Sequence, residues 1–353
     1  MKSYMSGRYQ AVWIDHCFSS YLPRDIGVPQ GSILGPLISL IFINDLSYLV
    51  TSDIQQYADD TTISESSENI TEISSKLTEA CSNVSEWMSK NQFKLNPDKT
   101  HILLLGTQRR LNMTEENLNV CMDGVQLKEN ELHCEKILGC LVQNNLKWSH
   151  QISKLKERLK KRLAGAYNLR GVLPFEQLRM VSDGWFQSVL VYCLPLFGGC
   201  GLTELQELQV IQNKVARVIT RSHQRRNRCE IYDQLNWFTV KQLIVYHTLL
   251  TIFRIKDTNE PEELASILKK ENRNRNIIIP QSNLTLYRMS FIYRGISLWN
   301  KLPESCKYAR KLGYFKAQLR KWIKEEVSRF EFLKVKMTFR RTKLPHLVAW
   351  VEW

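Results

Sequence analysis

The sequence lacks the features that define several classes of protein. Its nine cysteines include no CxxC pair and no zinc-type spacing with histidine, so reduced thiols are expected rather than a disulfide framework. The longest apolar run, residues 33–43, is too short to cross a bilayer and contains Pro36, which predicts a buried helix. The N-terminus, MKSYMSGRYQ, has no apolar core of a signal peptide. We therefore expect an intracellular protein of the nucleus or cytoplasm that is neither secreted nor bound to a membrane.

Basic charge is concentrated in the second part of the chain. The composition, 43% hydrophobic and 24% charged, is that of a globular protein, and the formal net charge is +14. Residues 151–353 hold 37 Lys and Arg against 17 Asp and Glu, whereas residues 1–100 hold 7 against 12. Such a polycation suits a surface for nucleic acid or anionic lipid, because neutralised phosphates release counterions. A solvated basic surface that only maintains solubility is the alternative.

Hydrophobic spacing in the first hundred residues predicts an α+β fold. Residues 53–64, DIQQYADDTTIS, favour a β-hairpin, and residues 100–106 favour a short buried strand. Between them, apolar residues recur every three or four positions and predict one helix: Ile70, Ile73, Leu77, Cys81, Val84 and Met88. The order of helix, hairpin, helix and strand is typical of α+β domains.

Helices are predicted to dominate the later part of the chain. Two strand pairs are expected between residues 118 and 142, the first turning at Asp123 and Gly124. Residues 150–163 then predict a helix with an apolar stripe on one side and basic residues around the rest of its surface. The stripe is Ile152, Leu155, Leu159 and Leu163, and the basic residues are Lys154, Lys156, Arg158, Lys160, Lys161 and Arg162. This helix is expected to bury one side and to offer the other to phosphates. The polar stretch 269–283 is the best candidate linker.

Two short stretches carry candidate chemistry. Asp59 and Asp60 are adjacent carboxylates, which are common in turns. Here they lie between β-forming segments, where a divalent cation would offset their mutual repulsion. Upstream, Gly31 and Gly35 open an apolar helix, a pattern that suits close approach of a phosphate and that is as often a structural turn.

Ordered motifs in the chain resemble a known family of polymerases. They read GVPQGSILGPLISLIFINDL, YADD, KLNPDKTHILLLG and KILGCLVQNNLKWSHQISKLKERLKKRL. Further similar segments are YCLPLFGG, LQVIQNKVARVI and SFIYRGISLWNKLPESCKYARKLGYFKAQLRKWI. Over residues 6–323 the chain resembles reverse transcriptases of non-LTR, LINE-type retrotransposons of the jockey-like kind. The resemblance implies a partial right-hand polymerase palm, with antiparallel strands and helices, followed by a mainly α-helical thumb and C-terminal region.

The resemblance also implies roles for particular residues. Asp59 and Asp60 match the metal-binding and catalytic carboxylates, which in the family hold Mg²⁺ or Mn²⁺, and Lys99 matches a lysine that steadies the leaving pyrophosphate. Gln30, Gly31 and Tyr57 match positions that line the template and incoming nucleotide, and Leu138 and Gly139 match the primer-grip turn. Lys154, Arg158 and Lys161 are the candidates for contact with the nucleic-acid backbone.

The resemblance divides the chain into segments of different kind. These are a partial palm (1–117), the end of the palm with primer-grip-like strands (118–150), a basic helical thumb-like region (151–268), a C-terminal helical region of the element (269–323) and a basic tail (324–353). The tail has no counterpart in the family and is expected to have no selected role. Family members also carry upstream fingers, a palm strand with a further aspartate, and an endonuclease, which this chain is expected to lack. Asp15 is assigned to a turn rather than to that aspartate's role.

The expected function is that of a reverse transcriptase fragment. Its ancestral reaction adds deoxynucleotides to a primer 3′-hydroxyl by two-metal phosphoryl transfer, with an RNA template and DNA primer, or their hybrid, and deoxynucleotide triphosphates as partners. The chain alone is expected to be nearly inactive, because polymerisation should fall by orders of magnitude without the further aspartate. One alternative is a non-catalytic remnant that binds RNA or DNA through its basic helices and the aromatics Trp148, Tyr167 and Trp185, unless those rings pack between helices. Another is an unstable product, because a half palm would leave strand edges unpaired and apolar surface exposed.

Overall fold

The computed structural model describes residues 2–24, 26–96, 99–114, 118–223, 225–273, 275–282, 284–326 and 347–352, which form two compact units. The first unit, Met1–His133 with Pro345–Trp353, begins with α1 (Lys2–Met5), β1 (Tyr9–Gln10), β2 (Trp13–Ile14), β3 (Cys17–Phe18), β4 (Leu22–Pro23), α2 (Leu34–Ile43) and a 3₁₀ helix (Asn44–Tyr48). It continues with β5 (Asp53–Tyr57), β6 (Asp60–Ser67), α3 (Ile70–Lys90), β7 (His101–Leu105), α4 (Gln108–Met113), β8 (Cys121–Met122) and β9 (Val125–Gln126).

The second unit, Cys134–Leu344, is mainly helical. It contains β10 (Cys134–Ile137), β11 (Cys140–Gln143), α5 (Ser149–Arg170), α6 (Phe175–Ser182), a π-helical turn (Asp183–Gln187), α7 (Ser188–Val191), α8 (Leu194–Phe197), α9 (Leu202–Thr220) and α10 (Arg228–Leu235). It ends with α11 (Val240–Thr258), α12 (Glu262–Leu268), α13 (Thr285–Met289), α14 (Phe291–Asn300), α15 (Glu304–Lys307) and α16 (Leu312–Glu326). The chain then returns to the first unit as β12 (Leu347–Glu352). The α+β class predicted from the sequence is confirmed.

The main sheet of the first unit has four strands in the order β5-β6-β12-β7. The predicted hairpin forms β5 and β6, and the predicted buried strand forms β7. The helix predicted from apolar spacing is α3, which begins where the side chain of Asn69 accepts a hydrogen bond of 2.9 Å from the amide of Thr71. Every residue of its predicted stripe is buried, and the helix packs against β6 and β12. One face of the sheet is therefore covered.

Residues 347–352 lie in the segment predicted to be a basic tail, and they are part of the main sheet. They form β12, which pairs antiparallel with both β6 and β7, and Ala349 and Val351 are fully buried. The segment alternates β-branched and small residues toward the core, which is the pattern that a half-buried strand needs. β12 thus pairs the facing edges of β6 and β7, whereas β5 and β7 are the outer strands of this sheet.

The apolar segment 33–43 is a helix, α2, but it is not buried as predicted. Its only buried residue is Gly35, and Leu37 and Leu40 are each 52% exposed. Apolar spacing predicts a helix, whereas burial also needs a second layer, and most of this helix has none among the described residues. The predicted exposure of apolar surface is confirmed here.

Within the described ranges, no helix combines the length and the apolar character that a membrane crossing needs.

The core of the second unit surrounds α11. This helix packs against α8, α9, α14 and α16, and residues along its whole length are buried. A buried arginine joins α14 to α8 and to the end of α13. Arg294 in α14 donates to the carbonyls of Pro195 (2.6 Å), Leu196 (3.3 Å) and Met289 (3.0 Å). Burial lowers the pKa of the Arg294 guanidinium to about 10.

The predicted linker, 269–283, is not a free spacer. Within its described part, Ile277 is 1% exposed and belongs to the core of the second unit. The side chain of Asn300 accepts a hydrogen bond from the amide of Ile277 (2.8 Å) and donates one to its carbonyl (2.9 Å). The polar composition suggested a linker, but the burial of Ile277 and its two hydrogen bonds with Asn300 hold the segment against the core.

Candidate active site and nucleic-acid surface

The two adjacent aspartates lie at the tip of the β5–β6 hairpin. Tyr57 pairs with Asp60, so Ala58 and Asp59 form a two-residue turn, and all four residues are exposed. Ala58 has φ +56°, in the left-handed region that L-residues avoid. Conformations of this kind cost about 1 kcal/mol and persist where the surrounding structure holds them. Here the ladder from Asp53 to Ser64 holds the turn.

Side chains along the hairpin point alternately to a buried face and to an exposed face of the sheet. Thr61 and Ile63 in β6 are fully buried on the side covered by α3. Tyr57 and Asp60 face the other way, because successive residues of a strand point to opposite sides. The tip therefore offers two carboxylates and one aromatic ring to solvent.

The strand register places Lys99 at the same end of the sheet as the aspartates. Thr62 and His101 lie on either side of Glu352, in one row across β6, β12 and β7. Since β12 is antiparallel to both neighbours, β6 and β7 run in the same direction. Thr62 and His101 are separated by one strand and therefore lie about 10 Å apart. Asp60 precedes Thr62 by two residues, and Lys99 lies two residues before His101, where β7 begins. Lys99 is exposed.

The loop of Gln30 and Gly31 lies in the same unit but is held by its own contacts. Gly31 has φ +78°, which favours glycine, and Gln30 is exposed. Ser32 fixes the loop to the start of α2: its hydroxyl donates to the carbonyl of Pro29 (2.8 Å) and accepts from the amide of Gly35 (3.0 Å) and from the hydroxyl of Tyr4. A Cβ on Gly35 would lie 2.8 Å from the Ser32 hydroxyl, so this position needs glycine.

The predicted primer-grip residues form a tight turn in the second unit. Leu138 (φ +45°) and Gly139 (φ +84°) connect β10 and β11, and positive φ at both positions is the geometry of a type I′ turn. The hydroxyl of Tyr192 donates to the carbonyl of Leu138, and the Tyr192 ring lies 3.5 Å from where a Cβ of Gly139 would be. Sequence reasoning did not identify Tyr192, since nothing in its neighbourhood marks a contact 54 positions away.

Two glutamines, also missed from the sequence, join this hairpin to the basic helix α5. The side chain of Gln143 accepts hydrogen bonds from the amide of His150 (3.0 Å) and the hydroxyl of Ser149 (3.1 Å). The side chain of Gln151 accepts from the amide of Leu141 (3.0 Å). Both glutamines are buried, so the primer-grip-like turn and the start of α5 form one fixed element.

The basic residues of α5 divide into two groups. Lys156 is half-buried and pairs with Glu207 of α9 at 2.6 Å, and Arg162 donates to the carbonyl of Trp185 at 2.7 Å. By contrast, all three residues predicted to contact nucleic acid are exposed: Lys154, Arg158 and Lys161. Their spacing of four and three positions places them along one face of the helix. The apolar stripe predicted for this helix is confirmed, with Leu163 half-buried.

The three aromatics considered for nucleic-acid contact differ in their surroundings. Trp148 packs against the core of the second unit. Trp185 lies against α5 at Gly165, where a Cβ would be 2.1 Å from its ring, and Arg162 stacks over it at 5.7 Å. Tyr167 is 53% exposed. The packing alternative therefore holds for Trp148. Trp185 packs against α5 but is 38% exposed, and Tyr167 is available to a ligand.

A pair of thiols lies next to the primer-grip-like turn. A hydrogen bond from the Cys140 thiol lowers the pKa of Cys193 to about 7, against the opposing effect of burial, and a further hydrogen bond with Tyr192 acts in the same direction. The same pairing raises the pKa of Cys140. Cys193 itself has φ +55° at the start of α8. A thiol with a lowered pKa, that of Cys193, therefore lies beside the turn.

Comparisons with known proteins find similar sequences among polymerases. The family model of reverse transcriptase (RNA-dependent DNA polymerase) matches residues 3–153. The "Probable RNA-directed DNA polymerase from transposon X-element" of Drosophila melanogaster is 25% identical over 82% of this chain and 33% of its own length. A second Drosophila melanogaster protein, the "Probable RNA-directed DNA polymerase from transposon BS", is 26% identical over 70% of this chain and 28% of its own length.

The "RNA-directed DNA polymerase from mobile element jockey" of Drosophila melanogaster is 24% identical over 62% of this chain and 24% of its own length. The chain thus spans about a third or less of the length of these relatives. No solved structure matches the chain significantly. The resemblance predicted from the motifs is confirmed: residues 3–153 match the reverse transcriptase model, and the similarity of the chain to RNA-directed DNA polymerases of Drosophila mobile elements supports a non-LTR, LINE-type reverse transcriptase.

Proposed function

We propose that the chain takes part in RNA-directed DNA synthesis, the addition of deoxynucleotides to a primer 3′-hydroxyl, with the hairpin tip as the site of phosphoryl transfer. The observation that carries the proposal is the exposed pair Asp59 and Asp60 at the open end of a sheet, inside the segment that matches the reverse transcriptase family. In this proposal the first unit is part of a polymerase palm, and the second unit provides thumb-like helices.

The donor set at the tip suits Mg²⁺ or Mn²⁺. Both ions prefer oxygen ligands, and Mg²⁺ is commonly held by one or two carboxylates together with substrate phosphates and water. The tip offers two exposed carboxylates, and among the described residues no group of three or more His, Cys, Asp or Glu is placed to hold a metal ion. Bound there, the metal would supply charge stabilisation for the triphosphate. With two carboxylates, polymerisation by this chain alone is expected to be slow.

The remaining residues of the first unit have supporting roles in the proposal. Lys99, at the same end of the sheet, would place a mobile cation near the departing pyrophosphate and stabilise its charge. Gln30, Gly31 and Tyr57 would line the template and the incoming nucleotide, since glycine lets backbone approach a ligand closely and an aromatic ring can stack on a base.

The second unit would hold the primer and template. The turn of Leu138 and Gly139 presents backbone with no side chain at its second position, which allows close approach of a strand. Lys154, Arg158 and Lys161 would bind phosphates of an RNA–DNA hybrid, and Gln143 and Gln151 would keep the turn and the basic face in fixed relation.

The proposed metal role of the tip can be tested with Mn²⁺. Binding of Mn²⁺ to the whole chain in the presence of dTTP is measured by the loss of the free-ion electron paramagnetic resonance signal. Asp59→Asn should weaken binding at least tenfold, because it removes one of two charged donors. The matched control is Asp53→Asn, which changes an exposed carboxylate at the far end of β5 and should leave binding unchanged. Equal affinity in wild type and Asp59→Asn would overturn the assignment.

A further inference from the structure

The strand β12 occupies the middle of a sheet to which the chain returns only after completing the second unit. Its neighbours, β6 and β7, both belong to the continuous first part of the chain. Residues 327–346, which join α16 to β12, lie outside the described residues.

Both edges and one face of β12 are engaged. All six residues pair with β6, and residues 348–352 also pair with β7, so the strand is hydrogen-bonded along both sides. On the covered face, Ala349 and Val351 are fully buried in the same core as Ile63 and Ile102. Without β12, β6 and β7 would expose two rows of unpaired backbone groups and this part of the core.

We propose that the space between β6 and β7 is a binding site for an extended peptide strand, and that the chain's own C-terminal segment is its occupant. The backbone hydrogen bonds provide affinity without depending on sequence, and the covered face provides specificity. The site requires a strand antiparallel to both neighbours, a small side chain at position 349 and a branched apolar one at position 351. The ligand class is thus a short apolar β-strand peptide.

The test uses the whole chain, with a specific protease site introduced between residues 327 and 346. After cleavage, the C-terminal fragment should remain with the rest of the protein on size-exclusion chromatography. A fluorescein-labelled peptide PHLVAWVEW, the sequence of residues 345–353, should then exchange into the site. The matched control peptide, which carries Val351→Lys, should bind at least tenfold more weakly, because it places a charge in the buried position.

Two results would overturn the proposal. One is release of the fragment with no uptake of labelled peptide, whether the cut protein stays soluble or aggregates. The other comes from amide hydrogen exchange on the uncut chain: if β6 and β7 exchange at the same rate in wild type and in Val351→Lys, β12 does not close the sheet. The expected result is faster exchange at Ile63 and Ile102 in the variant. Neither measurement involves Asp59 or Asp60, so failure here would remove the argument for the position of Lys99 but would leave the proposed metal role of the two aspartates unaffected.

Discussion

Single residues at the two hairpin turns hold conformations that their side chains disfavour. Ala58 at the aspartate tip and Leu138 at the primer-grip-like turn both have positive φ. The sequence predicts the ordinary case, Asp123–Gly124, because glycine at the second position of a two-residue turn is a strong signal, and this turn has positive φ at both residues as predicted. The sequence does not predict positive φ at Ala58 or Leu138, because alanine and leucine favour other backbone regions. At these two positions the pairing of the flanking strands imposes the turn.

The strain at Ala58 leads to a stability prediction. Ala58→Gly should raise the free energy of unfolding of the first unit by up to about 1 kcal/mol, since glycine adopts positive φ without a Cβ clash. Ala58→Val should lower it by more than that, because a β-branched residue is worse at this φ. The unfolding free energies of both variants are measured by denaturant titration, with amide exchange at β6 as the readout for the first unit. An Ala58→Gly protein that is less stable than wild type would contradict the conformation described.

Cys193 should be the fast-reacting thiol of the pair beside the primer-grip-like turn. Its pKa of about 7 lies below the ordinary thiol value, so its thiolate fraction, and with it the alkylation rate, should rise from about pH 6 and level off above about pH 8. Peptide mapping after short exposure to iodoacetamide measures this. Cys306 is the control, because burial raises its pKa. Cys140→Ala should shift the midpoint of Cys193 upward, and an unchanged midpoint would exclude the hydrogen bond as the cause.

At the scale of elements, α5 combines three functions on one helix. Its apolar stripe packs into the second unit, Lys156 and Arg162 bind neighbouring elements, and Lys154, Arg158 and Lys161 remain exposed. Spacing alone separated apolar from basic residues. It could not separate the lysine that pairs with Glu207 from those that stay exposed to phosphate, because that depends on α9, a helix distant in sequence.

Charge removal on the exposed face of α5 should weaken binding to an RNA–DNA hybrid. The triple variant Lys154→Gln, Arg158→Gln, Lys161→Gln should have a lower affinity at low salt, and the slope of log K against log salt should become shallower by about one unit for each phosphate that the variant no longer neutralises. Fluorescence anisotropy across a salt series measures the slope. Arg310→Gln, Lys311→Gln, Lys321→Gln removes the same charge from other exposed positions of the second unit. An equal effect of both triples would mean that binding follows net charge rather than this face.

The clamp formed by Arg294 should matter for stability. Arg294→Met would leave the carbonyls of Pro195, Leu196 and Met289 without their donor, and should lower the free energy of unfolding of the second unit by about 2 kcal/mol or more. Arg310→Met, at an exposed position, should change it by less than about 0.5 kcal/mol. Thermal unfolding of the two variants and the wild type measures these changes in stability. A similar stability for both variants would show that the clamp contributes little.

At the scale of the whole molecule, the chain has two units with different proposed tasks. The sequence predicted the fold class, the hairpin, the long helices and the family, because periodic apolar spacing and motif order are local signals. It missed the role of residues 347–352 and the exposure of α2, because both depend on which distant segment covers a surface. The proposed site shows the same limit: Asp59 and Asp60 could be identified from motif and spacing, whereas the placement of Lys99 depends on the register through β12.

Primer extension by the whole chain measures the proposed phosphoryl transfer at the hairpin tip. With an RNA template, a DNA primer, dTTP and Mg²⁺ or Mn²⁺, the wild type should show slow incorporation that depends on the metal. Asp59→Asn should reduce the rate by about 100-fold or more, the effect typical of losing one group that stabilises transition-state charge, and Asp53→Asn should leave it unchanged. Incorporation that is equal in wild type and Asp59→Asn would contradict the account.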